Sequence, residues 1–193
     1  GALLYRFELK KYKSWYGAAT QLVQDRRGFP GTLSLELKGP GGAAVPTDSI
    51  QFDLGTAANA TVGEKDSVVV VARASVPPVD STGTPGVIEK RFVFRGDEYG
   101  IGLAVNASNL GDLTAGGFAL TWKDGLKYQE HNSVEESNRA RAMARVNDEL
   151  VELDNNDPGT TKHETFKGSV EWAGMHTKYF GMALIPTKPV AKA

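Results

Sequence analysis

Apolar and polar residues alternate along most of this chain with a period of two, the spacing that puts every second side chain on one face of a strand. The clearest case is Thr32–Lys38, where Leu33, Leu35 and Leu37 alternate with Ser34 and Glu36. Similar patterning predicts strands over Leu3–Leu9, Thr20–Gln24, Ser49–Leu54, Val87–Arg95, Tyr99–Asn106 and Ala119–Lys123. Ser67–Ser75 is so rich in valine that a helix is disfavoured, because β-branched side chains fit a pleated surface better. Gly39-Pro40-Gly41-Gly42 reads as a turn, and Gly96-Asp97-Glu98 as the connection of a hairpin. Pro77–Pro85 has almost nothing to bury and reads as an exposed loop inside one domain.

Ser133–Leu153 is the ambiguous stretch. Its Glu, Arg, Ala and Met content favours helix by intrinsic propensity. Asn147-Asp148, however, can serve as the two-residue turn of a hairpin between Ala142–Val146 and Glu149–Leu153. The reading adopted is a short helical turn near Val134–Asn138 followed by that hairpin.

The closing stretch, Gly168–Pro186, contains two runs, Lys167–Ala173 and Lys178–Ile185, joined by Gly174-Met175-His176-Thr177. The first run alternates, with Val170 and Trp172 on one face. The second is apolar on both faces, which predicts a strand covered on both sides at the centre of the core. Pro186 ends the ladder because it has no N–H to donate. Ten or more strands with hardly any helix point to an all-β sandwich, and the 193 residues suffice for one domain.

Charge changes the picture by exclusion. With 22 basic and 23 acidic side chains interspersed, the chain has no electrostatic footprint for nucleic acid. The longest wholly apolar run, Val68–Ala72, is far too short to span a bilayer, and no signal peptide is visible. Any exporting or anchoring segment is therefore expected outside this sequence. The absence of cysteine removes disulfides, thiolate zinc sites and a cysteine nucleophile.

Candidate chemistry is sparse. His131, His163 and His176 stand in no metal-ligand spacing, although His131 and Glu135 make a possible i, i+4 pair. His176 is expected exposed in the hairpin connection. Asp154–Gly159 resembles a calcium loop only briefly, since Pro158 falls where an oxygen ligand is needed. No nucleophile elbow or phosphate-cradling loop is present. Of the three tryptophans, Trp122 and Trp172 lie in strand patterns and are read as core, whereas Trp15 lies in a turn. The residues alone describe a β-sandwich that is not an enzyme and needs no cofactor.

The Gly-x-Val-x-Trp-x-Gly run of Gly168–Gly174, followed by Lys178-Tyr179-Phe180 and an apolar strand ending in Ile185-Pro186, resembles the large periplasmic domain of the YidC membrane-protein insertase family. Weaker similarities keep the family's order along the chain. They are Gly1–Trp15, Val45–Phe52, Lys90–Val105 and Leu120–Leu126, the last carrying Trp122. The resemblance assigns Trp122, Gly168, Trp172, Gly174, Lys178, Tyr179, Phe180 and Pro186 to the family motif, as structural core residues.

What the resemblance implies is a large twisted β-sandwich, a supersandwich similar in architecture to galactose mutarotase, forming one periplasmic domain over residues 1–193. The family domain continues beyond both ends of this stretch, into a membrane core at the inner membrane, so no insertion residue carries over. Its implied partners are the translocon accessory subunits SecD and SecF and nascent membrane proteins, met at an exposed sheet edge or an apolar cleft. The rival class is a carbohydrate-binding or mutarotase-like protein, because one architecture hosts many functions. That reading needs a histidine to converge with a carboxylate such as Glu164 or Glu171.

Overall fold

The computed structural model describes residues 1–55, 59–78, 83–154, 160–166 and 168–187. Among these the alternating segments form twelve strands: β1 (Glu8–Lys13), β2 (Ala19–Gln21), β3 (Ser34–Lys38), β4 (Ala44–Pro46), β5 (Ser67–Val76), β6 (Gly86–Arg95), β7 (Ile101–Ser108), β8 (Phe118–Thr121), β9 (Arg141–Val146), β10 (Glu149–Leu153), β11 (Val170–His176) and β12 (Gly181–Leu184). One short helix, α1 (Ser133–Asn138), precedes β9. Every strand pairing is antiparallel. The chain is all-β, and it divides into two compact units, one of Gly1–Leu3 with Leu33–Thr121 and the other of Leu4–Thr32 with Trp122–Ala193.

The first unit is a small sandwich of two sheets, ordered β4-β3-β8 and β5-β6-β7. Leu35 and Leu37 from β3 meet Ile88 from β6 and Leu110, and Val45, Val76 and Val105 close the margins. Alternation does this directly: in β6, Gly86, Ile88, Lys90 and Phe92 are all buried, two residues apart. Lys90 is the exception to an apolar inner face. It is fully buried, its Nζ donates to the Gly1 carbonyl at 2.6 Å and lies 5.5 Å from the Phe52 ring centroid. Burial pulls its pKa down from 10.5 to about 8, with the Asp48 carboxylate partly opposing the shift.

The second unit packs the pair β1-β2 and a four-stranded sheet, β10-β9-β11-β12, around Leu9, Leu22 and Leu126. Phe7, Trp122, Met175, Phe180 and Met182 surround them while keeping partial contact with water. The β9–β10 hairpin forms in the predicted register, with Glu149 opposite Val146. Asn147 and Asp148 both take positive φ, 51° and 66°, as a two-residue turn of this hand requires. The helical propensity of this stretch is thus spent only on α1, whose N-cap Asn132 accepts from the Glu135 N–H at 3.1 Å.

Several sequence expectations are corrected. Leu3–Leu9 is not a continuous strand: Leu4 makes a lone bridge to Thr32, and the ladder begins at Glu8. Here the Gln21 side chain takes the Phe7 N–H at 2.8 Å, in place of a backbone partner. Ser49–Leu54 is not a strand either, and contributes only the bridge Asp53↔Arg73, while Ile50 and Phe52 pack on the first unit's core. Alternation there records which side chains face the core, not a ladder. The closing hairpin pairs Ala173 with Leu184 through His176 with Gly181, so its connection is Thr177–Phe180 and not Gly174–Thr177. β12 stands at the end of its sheet, with Gly181, Ala183 and Ile185 exposed, so the hairpin is not the centre of the core. Glycine and alanine on an outer face lose little by exposure, and this leaves only Ile185 as an apolar side chain in water. Lys167 lies outside the described residues, as do 79–82 of the Pro77–Pro85 loop and 155–159 of the supposed calcium loop.

Candidate functional site: an apolar groove beside an open sheet edge

Paired strands carry opposed residues on the same face. In the second unit Ala142 opposes Leu153, Ala144 opposes Val151, and Ala173 opposes Ala144 across β9. Three alanines thus share one face of the sheet between larger neighbours. A row of short side chains between long ones leaves a trough, and a groove of about 370 Å³ lies there. Val151, Leu153 and Val170 form its apolar sides, with Phe166 and Glu164 from the segment preceding β11. Among the described residues Glu164 is its one ionisable group, on an otherwise apolar lining.

A register break between Val170 and Trp172 shapes the β11 side, because it turns Glu171 out of the ladder. Glu171 then accepts from Arg145 Nε at 2.7 Å and from the Asp148 N–H at 3.0 Å, tying the β9–β10 turn to β11. Asp148 and Glu171 together raise the Arg145 pKa. Asn147 adds a second tie, its Oδ1 accepting from Ser169 N–H at 3.0 Å. Beyond the groove, β10 and β12 end the sheet, and among the described residues no further strand pairs with either edge.

The family-motif residues fall in different places. Gly174 lines the groove and is the point of closest approach in the hairpin, where a Cβ would collide with the Met182 carbonyl oxygen. Gly168 takes φ of 144° against the Asn147 side chain, a conformation and a clearance that favour glycine. Trp122 donates from Nε1 to the Gly125 carbonyl at 2.9 Å and, with Phe180, packs on the Leu9 cluster. Trp172 is half-buried on β11 opposite Arg145, and Pro186 is half-buried just past β12. Lys178 and Tyr179 occupy the tight connection, Tyr179 exposed and Lys178 paired with Glu135 at 2.9 Å. That pairing raises the Lys178 pKa and lowers that of Glu135.

The histidines are not brought together. His176 is half-buried on β11, not exposed in a turn, and its Nδ1 lies 2.8 Å from the Thr177 carbonyl. His131 meets the Trp15 ring edge-on at 4.8 Å rather than pairing with Glu135. His163 is exposed on the segment before β11. Glu171 is already engaged by Arg145. Among the described residues no three His, Asp or Glu side chains are grouped to hold a metal. The groove itself was missed by sequence reading, although alanine at 142 and 144, two residues apart within a predicted strand, is the signal that locates it.

The profile of the YidC periplasmic domain family matches residues 1–193. The chain is 30% identical over 189 residues to a protein of Prosthecochloris aestuarii named membrane protein insertase YidC, covering 97% of this chain and 31% of that one. A protein of the same name from Chlorobium luteolum is 31% identical over 189 residues, and one from Chlorobaculum tepidum 29% over 192. The chain therefore spans about three-tenths of the length of these curated relatives. No solved structure gives a significant match.

Proposed function

The chain belongs to the YidC periplasmic domain family, and from that premise we propose that it serves a membrane protein insertase as a non-catalytic contact module for extended polypeptide. The family places it in the periplasm, as a domain of an inner-membrane protein. What supports the contact role is the groove: an alanine floor with aliphatic and aromatic walls, along a sheet whose outer strands have no further partner strand among the described residues. A nascent membrane segment presents what such a site takes. It offers apolar side chains for the trough and unpaired backbone N–H and C=O groups for a sheet edge. The SecD and SecF subunits suggested by the resemblance are the second class of partner in this proposal.

Nothing in the groove calls for catalysis. Among the described residues its lining carries a single carboxylate with no second acid or base beside it, and proton transfer needs a positioned pair or a reactive centre. The carbohydrate reading fares no better, because sugars are held by converging polar groups that the described residues of this lining lack.

The test is a fluorescence titration of the chain with a labelled apolar peptide in extended form, beside monosaccharides. Saturable peptide binding that weakens roughly tenfold or more in Ala144→Leu, which fills the trough, is the expected result. Peptide binding indifferent to that substitution, or a saturable response to a sugar, would overturn the proposal.

A further inference from the structure

The second unit carries another surface that the groove does not use. Between β1 and β2 the register jumps from Leu9↔Thr20 directly to Lys13↔Ala19, so Lys10, Lys11 and Tyr12 form a bulge in β1. These three residues and Lys13 are all exposed. A tight turn follows, closed by the Gly17 N–H on the Ser14 carbonyl at 2.9 Å, and it holds Trp15 and Tyr16 out in water at 58% and 50% exposure. The two rings meet edge-on at 5.5 Å, and Trp15 also meets His131.

The rings are held in place from behind. Glu136 is fully buried and accepts from the Gln129 and Glu130 N–H groups at 2.8 and 3.0 Å, which fixes the segment leading to His131. The Gln129 carbonyl in turn accepts from the Trp15 N–H at 3.0 Å. On the other side Tyr12 meets Phe180 edge-on at 5.8 Å, next to Tyr179, which is 58% exposed. The patch is therefore a rigid shelf of aromatic rings with lysines at its border.

Its charge is one-sided. The nearby Glu135 is neutralised by Lys178 and by Arg139 at 3.8 Å. Lys10, Lys11 and Lys13 have no acidic partner among the described residues. Lysines on a short edge strand guard against pairing with other chains, and that accounts for the charges. It does not account for four exposed aromatic rings beside them, since burying such rings is worth more than almost any other side chain.

We propose that this shelf seats the domain on an anionic bilayer surface, with Trp15, Tyr16 and Tyr179 at headgroup depth and the three lysines against lipid phosphates. Tyrosine and tryptophan are apolar bodies with a polar handle, suited to the interface between hydrocarbon and water. A lysine near an anionic bilayer adds electrostatic attraction that falls off within a Debye length. The placement of the family at the inner membrane brings a bilayer within reach, and the inference is independent of what the groove binds.

The test is co-sedimentation of the chain with vesicles of phosphatidylcholine alone and with about one-third phosphatidylglycerol, following tryptophan emission. Binding is expected only to the anionic vesicles, with a blue shift, and is expected to fade as salt is raised. Lys10→Gln/Lys11→Gln/Lys13→Gln should weaken it roughly 100-fold. Trp15→Ala/Tyr16→Ala should remove both the blue shift and most of the binding, with near-ultraviolet circular dichroism confirming the fold. Lys65→Glu/Arg91→Gln, an equal charge change at exposed positions of the first unit, should leave binding within about twofold of the parent. No binding to anionic vesicles, equal binding to neutral ones, or binding that survives both patch variants would overturn the proposal. So would a soluble protein partner captured through these residues by a chain that ignores vesicles.

Discussion

The two units of this chain are built from the same kind of strand and close in different ways. In the first, Leu35 and Ile88 are fully buried, Leu37 and Leu110 nearly so, and six half-buried apolar side chains ring them. β5 and β6 pair over ten residues without a register break. In the second, the buried apolar cluster among the described residues is Leu9, Leu22 and Leu126, none of them fully enclosed, and its surroundings are large, flexible or aromatic side chains that stay partly wet. Its ladders break twice, at β1 and at β11. The groove and the aromatic shelf both sit in this second unit. The β5–β6–β7 sheet of the first unit also ends in outer strands, but its ladders run unbroken and its inner face is covered. Breaks, short side chains and an unpaired edge are where binding surface comes from.

The comparison predicts unequal costs for the same deletion. Leu35→Ala, in the sealed sandwich, should lose about 4–5 kcal/mol of stability, the upper part of the range for buried leucines. Leu126→Ala should lose nearer about 2 kcal/mol, because Met175 and Met182 can move into the space. Denaturant unfolding of the two variants measures this directly. Equal losses, or the reverse order, would mean that the second unit is as tightly packed as the first and that its half-buried methionines are held rigidly.

Gly174→Ala sharpens the same contrast on the groove side, with an expected loss of about 1–3 kcal/mol. The added methyl meets the Met182 backbone, which cannot step aside as a side chain could. Since Gly174 also lines the groove, the variant should lose peptide affinity together with stability. A variant as stable as the parent would show that β11 and β12 can separate slightly at no cost, and that the hairpin is softer than its close approach implies.

How far these features could be read in the sequence depended on whether they were local. The β5–β6–β7 meander was legible because valine-rich alternation and a Gly-Asp-Glu turn are written in adjacent residues. The β9–β10 hairpin was legible against its own helical propensity, because Asn-Asp tolerates the positive φ that the turn demands. What failed was non-local. Nothing in Lys178–Ile185 tells an edge strand from a central one, since that depends on which strand lies beyond it. Ser49–Leu54 alternates as a strand does, yet its apolar residues are satisfied by packing alone. The groove needed three alanines from two strands to meet, which the period of either strand does not reveal. The family motif was legible by resemblance, but its residues serve separate ends: Gly174 clearance, Trp122 packing, Lys178 an ion pair.

The last expected effect concerns Lys90, the buried charge among the described residues of the sealed unit. With its pKa drawn down from 10.5 to about 8, Lys90 holds fewer protons in the folded chain than in the unfolded one between those values. Unfolding then takes up protons, so stability rises with pH across roughly pH 8 to 10.5 and is lowest below it, where the full cost of the buried ammonium is felt. Lys90→Met replaces the chain by an apolar one of similar length and removes that titration. The variant should therefore be at least as stable as the parent at pH 7, and its advantage should shrink as pH rises toward 10. Comparing the pair at each pH cancels the tyrosines and other lysines that titrate in the same window. Parallel curves for parent and variant would mean that the Gly1 carbonyl, the Phe52 ring and Asp48 together repay the desolvation of Lys90 in full. The first unit would then be sealed around a stabilising charge, not in spite of one.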